Sequence, residues 1–191
     1  AGLVTMAGTY LLVPETGARE QADRGAPFAA GLVELMRHPR FCALVIHTGC
    51  STGTFMTLAT ASSVFMKEVL HRPATEFGLY FAMVPIGFMT GTAISSRIGN
   101  RVPVERMVLI GAGIGLVAVL VQSSLLLSGY LTPLVLFLPG AFVTFAQGLS
   151  LPFAQAGAMA TVPKLAATAA GIGLFVQNLM GAAVAQIYGL L

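Results

Sequence analysis

Formal charge is scarce in this sequence: seven Asp and Glu and ten Lys and Arg in 191 residues, 9% of the chain, against 56% apolar residues. A soluble domain carries about 25% charged residues, so a water-soluble core is excluded. The net charge of +3 is not gathered into a basic patch, which argues against a nucleic-acid partner. Cysteine is nearly absent. Cys42 and Cys50 sit about 12 Å apart along a helix, too far for a disulfide, and read as small buried apolar residues. His38, His47 and His71 lack metal-ligand spacing. No carboxylate pair and no nucleophile elbow is present, so the sequence does not read as an enzyme and calls for no cofactor or metal. The run Gly111-Ala112-Gly113-Ile114-Gly115 has neither the Lys nor the preceding strand that a nucleotide loop needs.

What the chain has instead is a series of long apolar stretches. Five segments, roughly Cys42–Val64, Phe77–Ile94, Met107–Leu127, Leu134–Ala160 and Ala166–Leu190, have the ~20 residues needed to cross a ~30 Å hydrocarbon core as helices. Inside a bilayer every backbone polar group must be satisfied internally, so each is a helix or part of a closed barrel. Barrel strands would be shorter and would alternate apolar with polar residues. The fold class is therefore an all-α, polytopic membrane bundle. Basic residues set its orientation. If the loops alternate sides, one side holds Arg19, Arg24, Arg37, Arg40, Arg97, Arg101, Arg106 and Lys164, and the other holds Lys67 and Arg72. The first side, with Pro14–Arg40, Arg97–Arg106 and Thr161–Leu165, is expected to be cytoplasmic.

Ala1–Val13 is apolar but too short to span, and no basic region precedes it as in a signal peptide. It reads as the end of a preceding span, and the whole as a fragment of a longer transporter-sized chain. Residues 14–40 read as a polar linker. Within it, Phe28, Leu32, Leu35 and Met36 have helical spacing, for a short surface helix or an extension of the first span; Pro39 favours a break. Small residues recur at four-residue spacing at Gly49/Gly53, Gly87/Gly91 and Gly111/Gly115, which lets helices approach closely. Pro85, Pro139 and Pro152 each free a carbonyl inside a span and are expected to interrupt it.

No Asp, Glu, Lys or Arg falls within a span core. The polar residues there are His47, Ser51, Thr52, Thr54, Gln122, Gln147, Gln155, Gln177, Asn178 and Gln186. His47 is the ionisable one, hence a functional candidate, and Ser51 and Thr54 share its helical face. It is either a ligand or proton partner in a wet cavity or a neutral ring bonded to an adjacent helix. The amides are either interhelical links or, as a set, a cavity lining. Phe55, Met56, Phe81, Phe88, Phe145, Phe153 and Phe175 face lipid or pack, a few forming an adaptable apolar wall.

Several stretches together carry a family resemblance: Val13-Pro14-Glu15-Thr16, Arg37-His38-Pro39-Arg40-Phe41, Ser63-Val64-Phe65-Met66, Thr75-Glu76-Phe77-Gly78-Leu79-Tyr80-Phe81-Ala82, and Gly148-Leu149-Ser150-Leu151-Pro152. In order and spacing they resemble the C-terminal half of a major facilitator superfamily multidrug efflux transporter of the bicyclomycin/chloramphenicol-resistance type. The resemblance implies that residues 1–13 end span six, 14–40 form the central cytoplasmic loop, and 41–191 hold spans seven to eleven, with span twelve missing. It implies a cytoplasmic gating loop at Gly91, Arg97 and Arg101, with Ser95 near the place of an expected acid and Val102-Pro103 in place of a glycine. It further implies a bacterial inner-membrane drug:proton antiporter, monomeric when intact, driven by the proton gradient. Its partners would be an amphipathic drug-like substrate, the lipid bilayer and the absent N-terminal half. His47, Ser51, Gln147, Gln155, Gln177 and Asn178 would line the substrate cavity. A transporter for another class of small molecule and a non-transporting scaffold subunit are the alternatives.

Overall fold

The structure, a computed structural model, describes residues 28–190; the expected end of a span at Ala1–Val13 and most of the linker lie outside the described residues. Among the described residues seven α-helices follow in order: α1 (Phe28–Met36), α2 (Pro39–Val64), α3 (Ala74–Phe81), α4 (Met83–Ile98), α5 (Val104–Leu127), α6 (Pro133–Thr161) and α7 (Ala166–Leu190). There is no strand among the described residues. Five stretches, Pro39–Val69, Ala74–Ile98, Val104–Leu127, Pro133–Thr161 and Pro163–Ile187, are long and apolar enough to cross a membrane, which makes this a multi-pass helical membrane protein.

Proline explains several helix boundaries. Pro39 and Pro133 open α2 and α6 after extended residues His38 and Thr132, since the fixed φ suits a first turn and the missing N–H is not needed there. Pro85 has no N–H to offer the Phe81 carbonyl, and the second span divides at Ala82 into α3 and α4. Pro139 and Pro152 do not interrupt α6, contrary to expectation: the helix runs unbroken from Pro133 to Thr161, with Pro139 buried and Pro152 exposed. Gly99, with φ +51°, closes α4 in a conformation that other residues rarely adopt. At the end of α2 the chain widens into a π turn, Phe65–Val69.

The centre of the bundle is α6. From Val143 to Ser150 every residue except Phe145 is buried. It packs against α4, α5, α2 and α7, while α2 and α7 form a second extensive pair. Backbone meets backbone between α4 and α6. A Cβ added at Gly87 would meet the Ala141 carbonyl, one at Gly91 the Phe145 carbonyl, and one at Gly148 the Phe88 carbonyl. The buried Thr144 hydroxyl donates across this contact to the Val84 carbonyl at 2.7 Å. Gly111 brings α5 onto α6 beside Ser150, whose Cβ would lie 2.5 Å from an added methyl, and Gln122 Nε2 of α5 donates to the Leu136 carbonyl at 3.1 Å. On the α2–α7 side, Gly49 makes room for Met180 and Gly53 for Val184.

Two apolar clusters close the ends. Phe137, fully buried, is ringed by Phe77, Tyr80 and Phe81, with centroids 5.8, 5.9 and 6.4 Å away. At the other end Leu35 of α1 is fully buried with Phe41, Leu44, Ala154, Ala158 and Ala169. The turn at Arg37–His38 thus makes α1 a separate docked helix and not an extension of α2. The cysteines are not buried, contrary to expectation: Cys42 is half-buried, its thiol directed at the Met36 carbonyl, and Cys50 is exposed.

Candidate functional site

Four groups meet along the seam between α2 and α6: His47 and the Ser51 carbonyl of α2, and Gln147 and Ser150 of α6. Gln147, buried on α6, donates its Nε2 to the Ser51 carbonyl of α2 at 2.8 Å. One turn further along α6, Ser150 Oγ lies 3.1 Å from His47 Nε2. Small residues along this face leave room for polar side chains to reach across, and lipid offers no competing partner. Two cavities flank the seam.

The first is a cleft of about 370 Å³ walled by α2, α3, α4, α6 and α7. Phe55, Phe81, Phe88, Val84, Pro85 and Leu151 supply its apolar surface, and Thr52, Thr144, Gln147 and Gln177 its polar groups. Gln177 also lines a smaller pocket of about 130 Å³ with Thr48 and Gln155. There Gln155 Nε2 lies 3.5 Å from Gln177 Oε1, a long contact between exposed amides. The second cavity, about 350 Å³, lies on the other side of the seam, between α2, α5 and α6. His47, Cys50, Ser51 and Thr54 face it from α2, and Gln147 and Ser150 from α6. A larger groove of about 630 Å³ between α5 and α6 is lined by apolar residues such as Val117, Leu138 and Phe142. No Asp, Glu, Lys or Arg lines any of these spaces.

The six cavity-lining candidates are therefore distributed over more than one space. His47 and Ser51 line the second cavity, Gln177 the cleft, and Gln147 both. Gln155 reaches the small pocket next to the cleft. Asn178 is exposed, and its amide donates back to the Leu174 carbonyl of its own helix at 2.7 Å. Sequence reasoning passed over two residues that the geometry brings forward. Ser150 is the partner of His47, and its spacing of three from Gln147 already put both on one face of α6. Thr144 has the same spacing on the other side.

At the positions expected for a gating loop, Gly91 is pressed onto α6, while Arg97 and Arg101 are exposed at the end of α4 and beyond it. The ion pair in this region is Arg40 Nε to Glu105 Oε1 at 2.8 Å, tying the start of α2 to the first turn of α5. An acid in that turn also complements the helix dipole.

A bundle of helical spans meeting through glycine contacts, with uncharged amphipathic cavities between them, suits passage of solutes more than catalysis. No curated protein and no solved structure gives a match to the chain. The family model of the Major Facilitator Superfamily matches residues 1–185. By that match the chain belongs to the major facilitator superfamily, a family of transporters and not of enzymes.

Proposed function

We propose that this chain is the C-terminal half of a proton-coupled multidrug exporter of the bacterial inner membrane, and that α2, α4, α6 and α7 line its substrate path. One observation carries the reading: the cleft joins three phenylalanines to neutral hydroxyl and amide groups and has no charged wall. Such a lining offers stacking and adaptable hydrogen bonding to amphipathic molecules of varied shape. It offers no fixed cation to grip a carboxylate or phosphate. Alternating access would come from this half rocking against its counterpart around the cleft. Residues 41–191 would then be spans seven to eleven and residues 14–40 the central loop. Gly91, Arg97 and Arg101 would belong to the cytoplasmic gate.

Because the sequence contains no tryptophan, a single introduced indole reports locally. Phe88→Trp places one in the cleft, and Phe175→Trp places one on the exposed face of α7, outside the cavities described. In lipid nanodiscs, titration with ethidium should quench Phe88→Trp saturably and Phe175→Trp weakly and without saturation. Equal, unsaturable quenching at both positions would reduce the effect to partition into lipid and sink the drug-cleft reading.

A further inference from the structure

The second cavity contains chemistry that the cleft does not need. His47 Nε2 lies 3.1 Å from Ser150 Oγ, and the Ser150 hydroxyl donates to the Ala146 carbonyl at 3.0 Å. A hydroxyl has one proton to give. With that proton committed to Ala146, Ser150 Oγ is the acceptor and His47 Nε2 carries the hydrogen. A neutral imidazole carries one N–H, so Nδ1 keeps its lone pair. No hydrogen bond engages Nδ1 among the described residues, and no buried side-chain nitrogen or oxygen there lacks a partner. Nδ1 is therefore not sealed from its surroundings, on a ring that lines the cavity.

The surroundings bring no competing charge. From α2 the cavity receives Cys50, Ser51 and Thr54, with Cys50 the one other titratable group; from α5 it receives glycine and aliphatic residues; from α6 it receives Val143, Ala146, Gln147 and Ser150.

We propose that His47 Nδ1 is a proton-binding site on the α5 side of the α2–α6 seam, separate from the amphipathic cleft, with Ser150 as its positioning residue. In the step, the Nδ1 lone pair accepts a proton from water and the ring becomes an imidazolium. Nε2–H stays on Ser150, and a new N–H donor points into the cavity beside the Ser51 and Thr54 hydroxyls. Neither the site nor its test depends on what the cleft carries.

The test is nitrogen-15 NMR of the chain in lipid nanodiscs with labelled histidine. The sequence has three histidines, so the double variant His38→Gln/His71→Gln leaves His47 alone. At high pH the spectrum should show Nε2 protonated and Nδ1 bare. As pH falls, Nδ1 should shift to the imidazolium position. Ser150→Ala should abolish the tautomer preference while the helical circular dichroism stays unchanged. A ring protonated at Nδ1 at high pH would overturn the proposal, as would a spectrum that does not change between about pH 9 and 4.5, a range that brackets ordinary histidine titration. An unchanged tautomer in Ser150→Ala would remove Ser150 from its role.

Discussion

Replacing Gly87 with alanine tests the α4–α6 contact most directly. The added methyl would run into the Ala141 carbonyl oxygen, with Thr144 Oγ1 at 2.9 Å and the Ala141 carbonyl carbon at 3.0 Å. Backbone cannot rotate away as a flexible side chain can, so the two helices must part. Overpacking of this kind costs about 1–3 kcal/mol. Parting also weakens the Thr144–Val84 hydrogen bond, worth about 0.6 kcal/mol in a membrane bundle. Against this, alanine is favoured over glycine in a helix by about 1 kcal/mol. The net destabilisation should be about 0.6–2.6 kcal/mol by these terms, a roughly threefold to eightyfold shift in the unfolding equilibrium. Gly113→Ala is the control, because an added methyl there meets nothing within 4 Å; it should be neutral or stabilising by up to about 1 kcal/mol. The double variant Gly87→Ala/Gly148→Ala should lose less than the sum of its parts, since one separation makes room for both methyls. Unfolding by SDS in mixed micelles, followed by circular dichroism, measures all three. If Gly87→Ala proves as stable as Gly113→Ala, the close backbone contact does not exist.

Two further predictions concern the ends of the bundle. Phe137→Ala removes a fully buried ring and its aromatic neighbours' common partner, and should cost about 3–5 kcal/mol in the same unfolding assay; a loss under 1 kcal/mol would mean the cluster collapses freely around the gap. Glu105→Gln breaks the ion pair with Arg40, whose side chains are 47% and 55% exposed. It should cost less than about 1 kcal/mol, with the difference vanishing in high salt; a large, salt-independent loss would show the pair to be shielded from solvent.

The five spans were legible because bilayer thickness imposes a length that composition alone reveals. Their ends shifted by a few residues: α2 begins at Pro39 and α6 at Pro133, since proline starts a helix without itself being part of an apolar run. The glycine pairs predicted close packing, and Gly87 and Gly91 do meet a neighbouring backbone. Which helix they meet was not legible, because four-residue spacing names a face and not its partner. The same limit explains the polar set. His47 and Ser51 could be placed on one face of α2 by counting turns, but whether that face meets the same space as Gln177 depends on where α5 and α7 pack. Proline inside α6 gave the wrong expectation: the missing N–H is certain, yet whether the helix breaks depends on the tertiary contacts around it.

The central position of α6 has a consequence for how the protein is made. The spans that precede it barely touch one another: α4 and α5 both rest on α6 and scarcely on each other or on α2. Spans leave the ribosome in sequence, so α2, α4 and α5 must wait in the bilayer, side by side but unassembled, until the fourth span arrives. Until then the glycine faces of α4 and α5 lack the helix against which they pack in the finished bundle. Quality control would act in that interval, and a nascent chain arrested before residue 133 should be far more exposed to membrane proteases than one arrested after residue 161.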